Sequence, residues 1–230
     1  MWAAPFSGHG VGPTLAGPLG RALQEAELDA GDVLLVSSGR TVHELSIVDL
    51  PAAPGIDIGP MVGGMSEAEA WYQTNEITRS IAERMRGRPQ FLFAPAMPSE
   101  AMRAILDQDP DFQRVTALWD RAKVALVGIG APPSSRDSIP TAVPLDDEGL
   151  RLAVGDVCMN FFDSAGTPID FPGSDRMVRI TLGQLRKIPW TIAVAVGAAK
   201  VTSIVAAAQA GLYKHLVTDA ATIQHVLRSV

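Results

Sequence analysis

Apolar positions in the last forty residues follow two alternating periods, which predict the order strand, helix, strand, helix. Residues 191–196 form a short apolar run rich in β-branched side chains, typical of a buried parallel strand. Four apolar residues then recur at helical spacing: Val201, Ile204, Val205 and Ala208. A second strand over 212–217 leads to a helix capped by Thr218 or Asp219, with the predicted buried stripe Ile223, Val226, Leu227 and Val230. This order requires right-handed crossovers and a parallel sheet.

The same alternation recurs upstream, so the pattern predicts an α/β fold: a doubly wound, mostly parallel, Rossmann-like sheet. Predicted strands cover 32–36, 56–61, 91–93 and 124–127, and predicted helices cover 17–28 and begin near 41, 66 and 99. The helix near 66 rests on the capping-box spacing of Ser66 and Glu69. Its predicted inward stripe is Ala70, Ile77, Ile81 and Met85.

Two segments depart from this alternation. Residues 131–144 contain four prolines and three serines, which predict a long loop. The turn residues 163–166 predict a small antiparallel β-hairpin insertion between 156–162 and 167–171.

Composition and charge mainly exclude classes of protein. The 230 residues are 47% hydrophobic, and 19 Lys and Arg against 25 Asp and Glu give a formal net charge of −6. This balance argues against nucleic-acid binding by the chain alone. The one cysteine, Cys158, excludes internal disulfides and favours a reducing compartment. No apolar run reaches the ~18 residues of a membrane helix, and the first residues lack signal-peptide character, so a cytoplasmic protein is expected.

Candidate chemistry lies where predicted strands end, because open parallel sheets bind ligands there, near a switch in strand order. After residue 36 the chain continues Ser37-Ser38-Gly39-Arg40-Thr41 into a helix, a pattern suited to binding an anion at backbone N–H groups. An ordinary N-terminal turn with an exposed arginine is the alternative. Gly128 and Gly130 supply only two of the three glycines of a dinucleotide fingerprint, which favours a tight turn over a nicotinamide site.

Four further polar residues each have two possible roles. Lys200, in the first turn of a predicted helix, opposes the helix dipole unless an anion binds there; otherwise it is a solvated lysine. Asp156 either begins a strand or accepts hydrogen bonds from ligand hydroxyls. Gln73 and Asn75, which follow Gly63-Gly64, either bind hydroxyls or cap a turn. The four histidines show no metal-ligand spacing, and no cofactor is expected.

Several segments occur in an order and spacing that match a known family. They are Ser38-Gly39-Arg40-Thr41-Val42, Val62-Gly63-Gly64, Asn75-Glu76-Ile77, Ala94-Pro95-Ala96, and residues 125–130, 155–157, 161–168 and 188–219. The chain resembles the effector-binding domain of SorC-type bacterial transcriptional regulators, relatives of the glycolytic central gene regulator and the deoxyribonucleoside regulator. The resemblance covers about residues 15–230. It implies a fold similar to that of glucosamine-6-phosphate deaminase and ribose-5-phosphate isomerase, and a domain that binds phosphorylated sugars as inducers without turning them over.

The resemblance also implies roles for residues. Ser38, Gly39, Arg40 and Thr41 would form a phosphate loop, Gln73 would contact the sugar, Asp156 would lie beside its hydroxyls, and Lys200 would contact phosphate or hydroxyl. The full expected ligand-binding set is Ser38, Gly39, Arg40, Thr41, Gly63, Gly64, Gln73, Asn75, Gly128, Gly130, Asp156 and Lys200. Expected partners are a phosphorylated sugar and further copies of the chain, as a dimer or tetramer.

Two departures qualify the resemblance. Val62 stands where some sugar-bisphosphate binders have arginine, which puts a second phosphate site in doubt. Residues 1–14, expected to be a flexible segment, are too short for the family's helix-turn-helix domain, so DNA would be contacted only through a domain missing from this chain.

An isomerase or deaminase on the same scaffold is the alternative function. It needs a general base, for which the candidates are Asp156 and Asp163.

Overall fold

A computed structural model describes residues 2–4, 10–136 and 139–229 of the chain. The strands in these ranges are β1 (Trp2–Ala4), β2 (Val33–Val36), β3 (Asp57–Pro60), β4 (Arg88–Pro89), β5 (Val124–Gly128), β6 (Gly155–Val157), β7 (Asn160–Phe162), β8 (Trp190–Val194) and β9 (His215–Asp219). The α-helices there are α1 (Val11–Glu25), α2 (Arg40–Ser46), α3 (Thr74–Met85), α4 (Glu100–Leu106), α5 (Pro110–Thr116), α6 (Leu182–Lys187), α7 (Val201–Gln209) and α8 (Ala220–Arg228). None of these helices is long and apolar enough to cross a bilayer.

Seven strands form one sheet in the order β1-β9-β8-β5-β2-β3-β4, and every neighbouring pair is parallel. From β2 the chain first extends the sheet through β3 and β4, then returns to place β5 on the other side of β2. The strand order therefore reverses between β2 and β5, and the carboxyl ends of these two strands are where such a sheet binds ligands. The predicted α/β fold class is confirmed.

The sheet buries both faces, which is why its strands are apolar without interruption. Along β2, Val33 and Leu35 belong to one buried cluster, whereas Leu34 and Val36 belong to the other. Helices α1, α2 and α3 cover the second cluster, and α5 to α8 contribute side chains to the first. This two-residue alternation places helices on both faces, as a doubly wound fold requires.

The small antiparallel insertion lies earlier in the chain than the turn residues predict. Strands β6 and β7 pair antiparallel through a two-residue connection, Cys158-Met159. The predicted turn 163–166 is instead a local loop in which Asp163 accepts hydrogen bonds from the Ala165 and Thr167 N–H groups. The predicted second strand 167–171 contributes only an isolated bridge between Phe162 and Pro168.

Other local predictions are also wrong at particular residues. No strand forms at 91–93, where Phe93 is 85% exposed and Leu92 pairs through its backbone with the Asn75 side chain. Helix α3 begins at Thr74, because 70–72 form a separate 3₁₀ turn, so Ser66 and Glu69 do not cap it and Ala70 is exposed. In α8, Ile223 and Val226 are buried but Leu227 is 61% exposed, and Val230 lies outside the described residues. Helix α1 begins at Val11 rather than near 17.

Candidate functional site

A cavity of about 370 Å³ opens at the carboxyl ends of the central strands. One part of the lining, here named the strand-end side, consists of Ser38–Thr41 after β2, Gly128–Gly130 at the end of β5, and Val196 and Lys200 after β8. A second part, the insertion side, consists of the hairpin residues Asp156, Cys158, Met159 and Phe161 and the loop residues Ala131, Ser135, Arg136 and Pro140, and it adjoins the first where Gly130 pairs with Asp156. The cavity therefore lies where the strand order reverses, as expected for this class of sheet.

On the strand-end side, glycines begin the helices that follow β2 and β8. Gly39 has φ +123° and precedes α2, and Gly197 has φ +106° and precedes the 3₁₀ turn Ala198–Lys200 that continues into α7. Neither glycine can cap its helix with a side chain, so the first N–H groups remain available. Both φ values lie in the region that side chains disfavour, which explains why glycine occupies these positions.

The turn after β2 is held by hydrogen bonds to neighbouring segments. The Ser37 hydroxyl accepts a hydrogen bond from the Gly128 N–H at 2.9 Å, which joins the ends of β2 and β5. The Gly39 N–H donates to the Trp71 carbonyl at 2.8 Å, and the Arg40 guanidinium lies 4.6 Å from the centre of the Trp71 ring. These hydrogen bonds hold the turn in position. Arg40 borders the cavity with its guanidinium against the Trp71 ring.

Lys200 reaches the same cavity from the end of β8. Within the ranges that the structure describes, it forms no ion pair and no hydrogen bond through its ammonium group. Burial, and to a lesser extent the charges of Arg136 and Arg40, lower the pKa of Lys200 to about 8, although Asp156 acts in the opposite sense. A half-buried cation whose nearest charges include two other cations favours an anion beside it.

On the insertion side, an ion pair joins the Pro-rich loop to the hairpin. Arg136 donates to the Asp156 carboxylate, and the two side chains are only 19% and 12% exposed. The other Asp156 oxygen accepts from the Met159 N–H at 2.9 Å, while Arg136 Nε donates to the Ala131 carbonyl at 2.7 Å. A side chain at Gly130 would overlap both ends of the pair, so the small residue there makes room for it.

The structure brings eight of the twelve predicted ligand-binding residues to this cavity. They are Ser38, Gly39, Arg40, Thr41, Gly128, Gly130, Asp156 and Lys200. The other four, Gly63, Gly64, Gln73 and Asn75, are not among the lining residues.

Three of these four residues have other contacts that account for their positions. Gln73 donates to the Glu67 carbonyl at 2.6 Å, and the Asn75 amide forms two hydrogen bonds with the Leu92 backbone. Gly63 lies so close to the 94–96 segment that a Cβ would be 2.7 Å from the Ala94 carbonyl oxygen. A sugar contact by Gln73 or Asn75 stays a prediction.

Sequence reasoning missed Arg136, Glu44, Trp71 and Tyr72, which also line the cavity. For Arg136 a signal existed, since a charged residue stands in an otherwise weakly charged Pro-rich loop that directly follows the Gly128–Gly130 strand end. Trp71 and Tyr72 belong to the 3₁₀ turn before α3, whose approach to the β2 turn depends on long-range packing. Glu44 lies one turn of α2 beyond Arg40 and accepts from the Gly12 N–H at 3.1 Å.

The arrangement can bind an anion together with hydroxyl groups. Arg40, Lys200 and the first N–H groups of α2 provide donors for an anion, and Asp156 provides an acceptor for hydroxyls. In the described part of the chain no three His, Cys, Asp or Glu residues are grouped to hold a metal ion. Burial raises the pKa of the Cys158 thiol well above its ordinary value, opposite to what a nucleophile requires.

Fold and cavity together define an α/β ligand-binding domain with its site at the switch in strand order. A family model described as "Putative sugar-binding domain" matches residues 9–228. The chain belongs to this sugar-binding domain family.

Two curated relatives are named as regulators. The sorbitol operon regulator of Klebsiella pneumoniae is 29% identical over 222 residues, which cover 92% of this chain and 70% of that protein. The deoxyribonucleoside regulator of Bacillus subtilis is 26% identical, over 87% of this chain and 64% of that protein. The chain thus spans about two thirds of the length of these relatives.

Solved structures of regulators share the fold along nearly the whole chain. The full-length sorbitol operon regulator SorC from Klebsiella pneumoniae aligns with a TM-score of 0.85 at 28% identity, covering 98% of this chain and 75% of that one. A probable sor operon regulator from Shigella flexneri aligns with a TM-score of 0.82 at 26% identity, covering 98% and 92%. The predicted family is confirmed, and the relatives' names support a sensing role rather than the isomerase or deaminase alternative.

Proposed function

We propose that this chain is the ligand-sensing domain of a transcriptional regulator and that its cavity binds a phosphorylated sugar. The observation that carries the proposal is the placement of Arg40 and Lys200, two cations without ion-pair partners among the described residues, at one cavity that also holds Asp156. A phosphate would accept hydrogen bonds from both cations and from the start of α2. The sugar hydroxyls would face Asp156 and Arg136.

Energetics favour a phosphorylated over a free sugar. Hydrogen bonds to charged groups contribute about 1.5–3 kcal/mol each, roughly twice the value of neutral ones. Two such bonds from Arg40 and Lys200 would therefore dominate the affinity, and they require an anionic ligand. Asp156 would select among sugars instead, because an acceptor at this position distinguishes ligands by the placement of their hydroxyls.

Regulation requires that the ligand bind one state of an assembly better than another. Arg136 links ligand binding to such a change of state. Ligand hydroxyls or phosphate compete for the Arg136 and Asp156 side chains, so binding changes the contacts of the loop that carries Arg136.

We propose that the assembly is a homodimer or homotetramer and that DNA is contacted through a separate helix-turn-helix domain. Light scattering with and without ligand checks the oligomeric state.

Thermal stability measured with matched ligand pairs tests the proposed function. The pairs are ribose 5-phosphate with ribose, glucose 6-phosphate with glucose, and sorbitol 6-phosphate with sorbitol, with inorganic phosphate as a further control. At least one phosphorylated member should raise the melting temperature well above its unphosphorylated partner and above inorganic phosphate. Equal effects of both members, no effect of any, or conversion of the sugar phosphate to product would contradict the proposal.

A further inference from the structure

The turn between β6 and β7 has a backbone conformation that its residues disfavour. Cys158 and Met159 have φ of +51° and +59°, and they connect two directly paired antiparallel strands. A two-residue connection with both residues at positive φ usually contains Asn and Gly, whereas side chains such as Cys and Met cost about 1–2 kcal/mol each there. Contacts from elsewhere must therefore stabilise this turn.

Three side chains provide these contacts. The Asp156 carboxylate accepts from the Met159 N–H at 2.9 Å, on the cavity side of the turn. The Asn160 amide donates to the carbonyls of Val157, Cys158 and Ile180. Arg179 donates through Nη1 to the Met159 carbonyl. The same residue, Met159, thus accepts a hydrogen bond from Arg179 and donates one to Asp156.

Arg179 approaches the turn from behind the cavity. It does not line the sugar-phosphate cavity but a second one of about 580 Å³, and it forms no ion pair within the described residues. Its backbone is fixed by a bridge to Val62 and by the Ile180 N–H bond to the Met61 carbonyl at 2.8 Å. Arg179 is half-buried, and its guanidinium also donates to the Ser174 carbonyl at 3.4 Å and lies 5.9 Å from the centre of the Phe171 ring. With these contacts holding the side chain, its hydrogen bond to the Met159 carbonyl restrains the turn.

We propose that Arg179 is a positioning residue for the candidate site: by binding the Met159 carbonyl, it holds the turn that aims the Asp156 carboxylate into the cavity. This inference rests on the proposed function and assigns a role to a residue outside the cavity. Loss of the Arg179 contact lets the turn relax from positive φ, which moves the Met159 N–H away from Asp156 and loosens the pair with Arg136. Arg40 and Lys200 stand on other elements and keep their positions.

The test separates binding at the two sides of the cavity. Calorimetry measures the affinity of wild type, Arg179→Met and Arg179→Lys for inorganic phosphate and for whichever of ribose 5-phosphate, glucose 6-phosphate or sorbitol 6-phosphate binds wild type most tightly. Arg179→Met should weaken the sugar phosphate about tenfold and inorganic phosphate less than about twofold. Arg179→Lys, which retains one charged donor, should recover part of the loss.

Arg176→Met is the matched control. Arg176 lies on the same segment and also donates to a backbone carbonyl, that of Pro98 at 2.7 Å, but it does not contact the turn. It should leave both affinities unchanged. Equal weakening of both ligands by Arg179→Met, an effect of the same size from Arg176→Met, or failure of both Arg179 variants to fold would overturn the inference. Absence of sugar-phosphate binding by wild type would instead contradict the proposed function.

Discussion

On the strand-end side of the cavity, the site residues directly follow buried parallel strands, whereas on the insertion side they come together from distant positions. Gly39, Gly128 and Lys200 each lie within six residues of the end of β2, β5 or β8. Arg136 and Asp156 are 20 residues apart, and so are Met159 and Arg179. The first set is positioned by local backbone geometry, and the second by side-chain contacts between separate segments.

This difference indicates a division of tasks. A parallel sheet offers the same anion-binding geometry wherever a strand ends in glycine and a helix follows. The hairpin and loop have no such repeated geometry, so their residues depend on one another for their positions. We expect the strand-end side to supply affinity for phosphate and the insertion side to supply selectivity for the sugar.

The largest effect is expected from Lys200→Met on the strand-end side. Removal of a charge-assisted hydrogen bond should weaken sugar-phosphate binding roughly 10- to 150-fold. Inorganic phosphate should lose affinity by a similar factor, in contrast to a change on the insertion side. Lys187→Met, which removes an exposed lysine at the end of α6, is the control. Unchanged affinity for both ligands, measured by calorimetry, would show that Lys200 is not part of the site.

A pair of glycine substitutions should then separate binding from folding. Gly130→Ala forces the side-chain ends of both Arg136 and Asp156 to move, so it should weaken sugar-phosphate binding roughly 10- to 30-fold. Gly63→Ala places a methyl group against the backbone of residues 94–96 and should lower the free energy of unfolding by about 1–3 kcal/mol. Urea denaturation and calorimetry on both variants check this contrast, which fails if Gly130→Ala binds like wild type.

A smaller effect is expected from pH, and it should belong to the strand-end side. With a pKa of about 8, Lys200 loses its proton as the pH rises from 7 to 9. Sugar-phosphate affinity should therefore fall by up to about tenfold over this range, and Lys200→Met should abolish that dependence. The pH dependence of folding stability has the opposite sign. Because burial lowers the pKa of Lys200 below its ordinary 10.5, the unfolded chain binds more protons between pH 8 and 10.5, and stability should rise there.

What the sequence predicts follows the same division. The parallel sheet and the Ser38–Thr41 turn are predictable, because apolar period and glycine position are local properties. The position of the hairpin turn is not predictable in this way. The residues Asp163–Gly166 are more typical of a turn than Cys158-Met159, but contacts with Arg179 and Asn160 stabilise the turn at Cys158-Met159. The prediction that Leu227 is buried is wrong for another reason. Leu227 lies on the predicted apolar stripe of α8, but only Ile223 and Val226 of that stripe belong to the buried cluster.

The position of Trp71 has a spectroscopic consequence. Of the four tryptophans, Trp71 borders the cavity beneath Arg40, whereas Trp119 is buried with its indole N–H on the Pro60 carbonyl, and Trp2 and Trp190 lie against His215. A ligand that draws the guanidinium off the ring changes the surroundings of one indole only. Phenylalanine at the other three positions would leave a chain whose emission reports occupancy of the cavity directly, with no label attached.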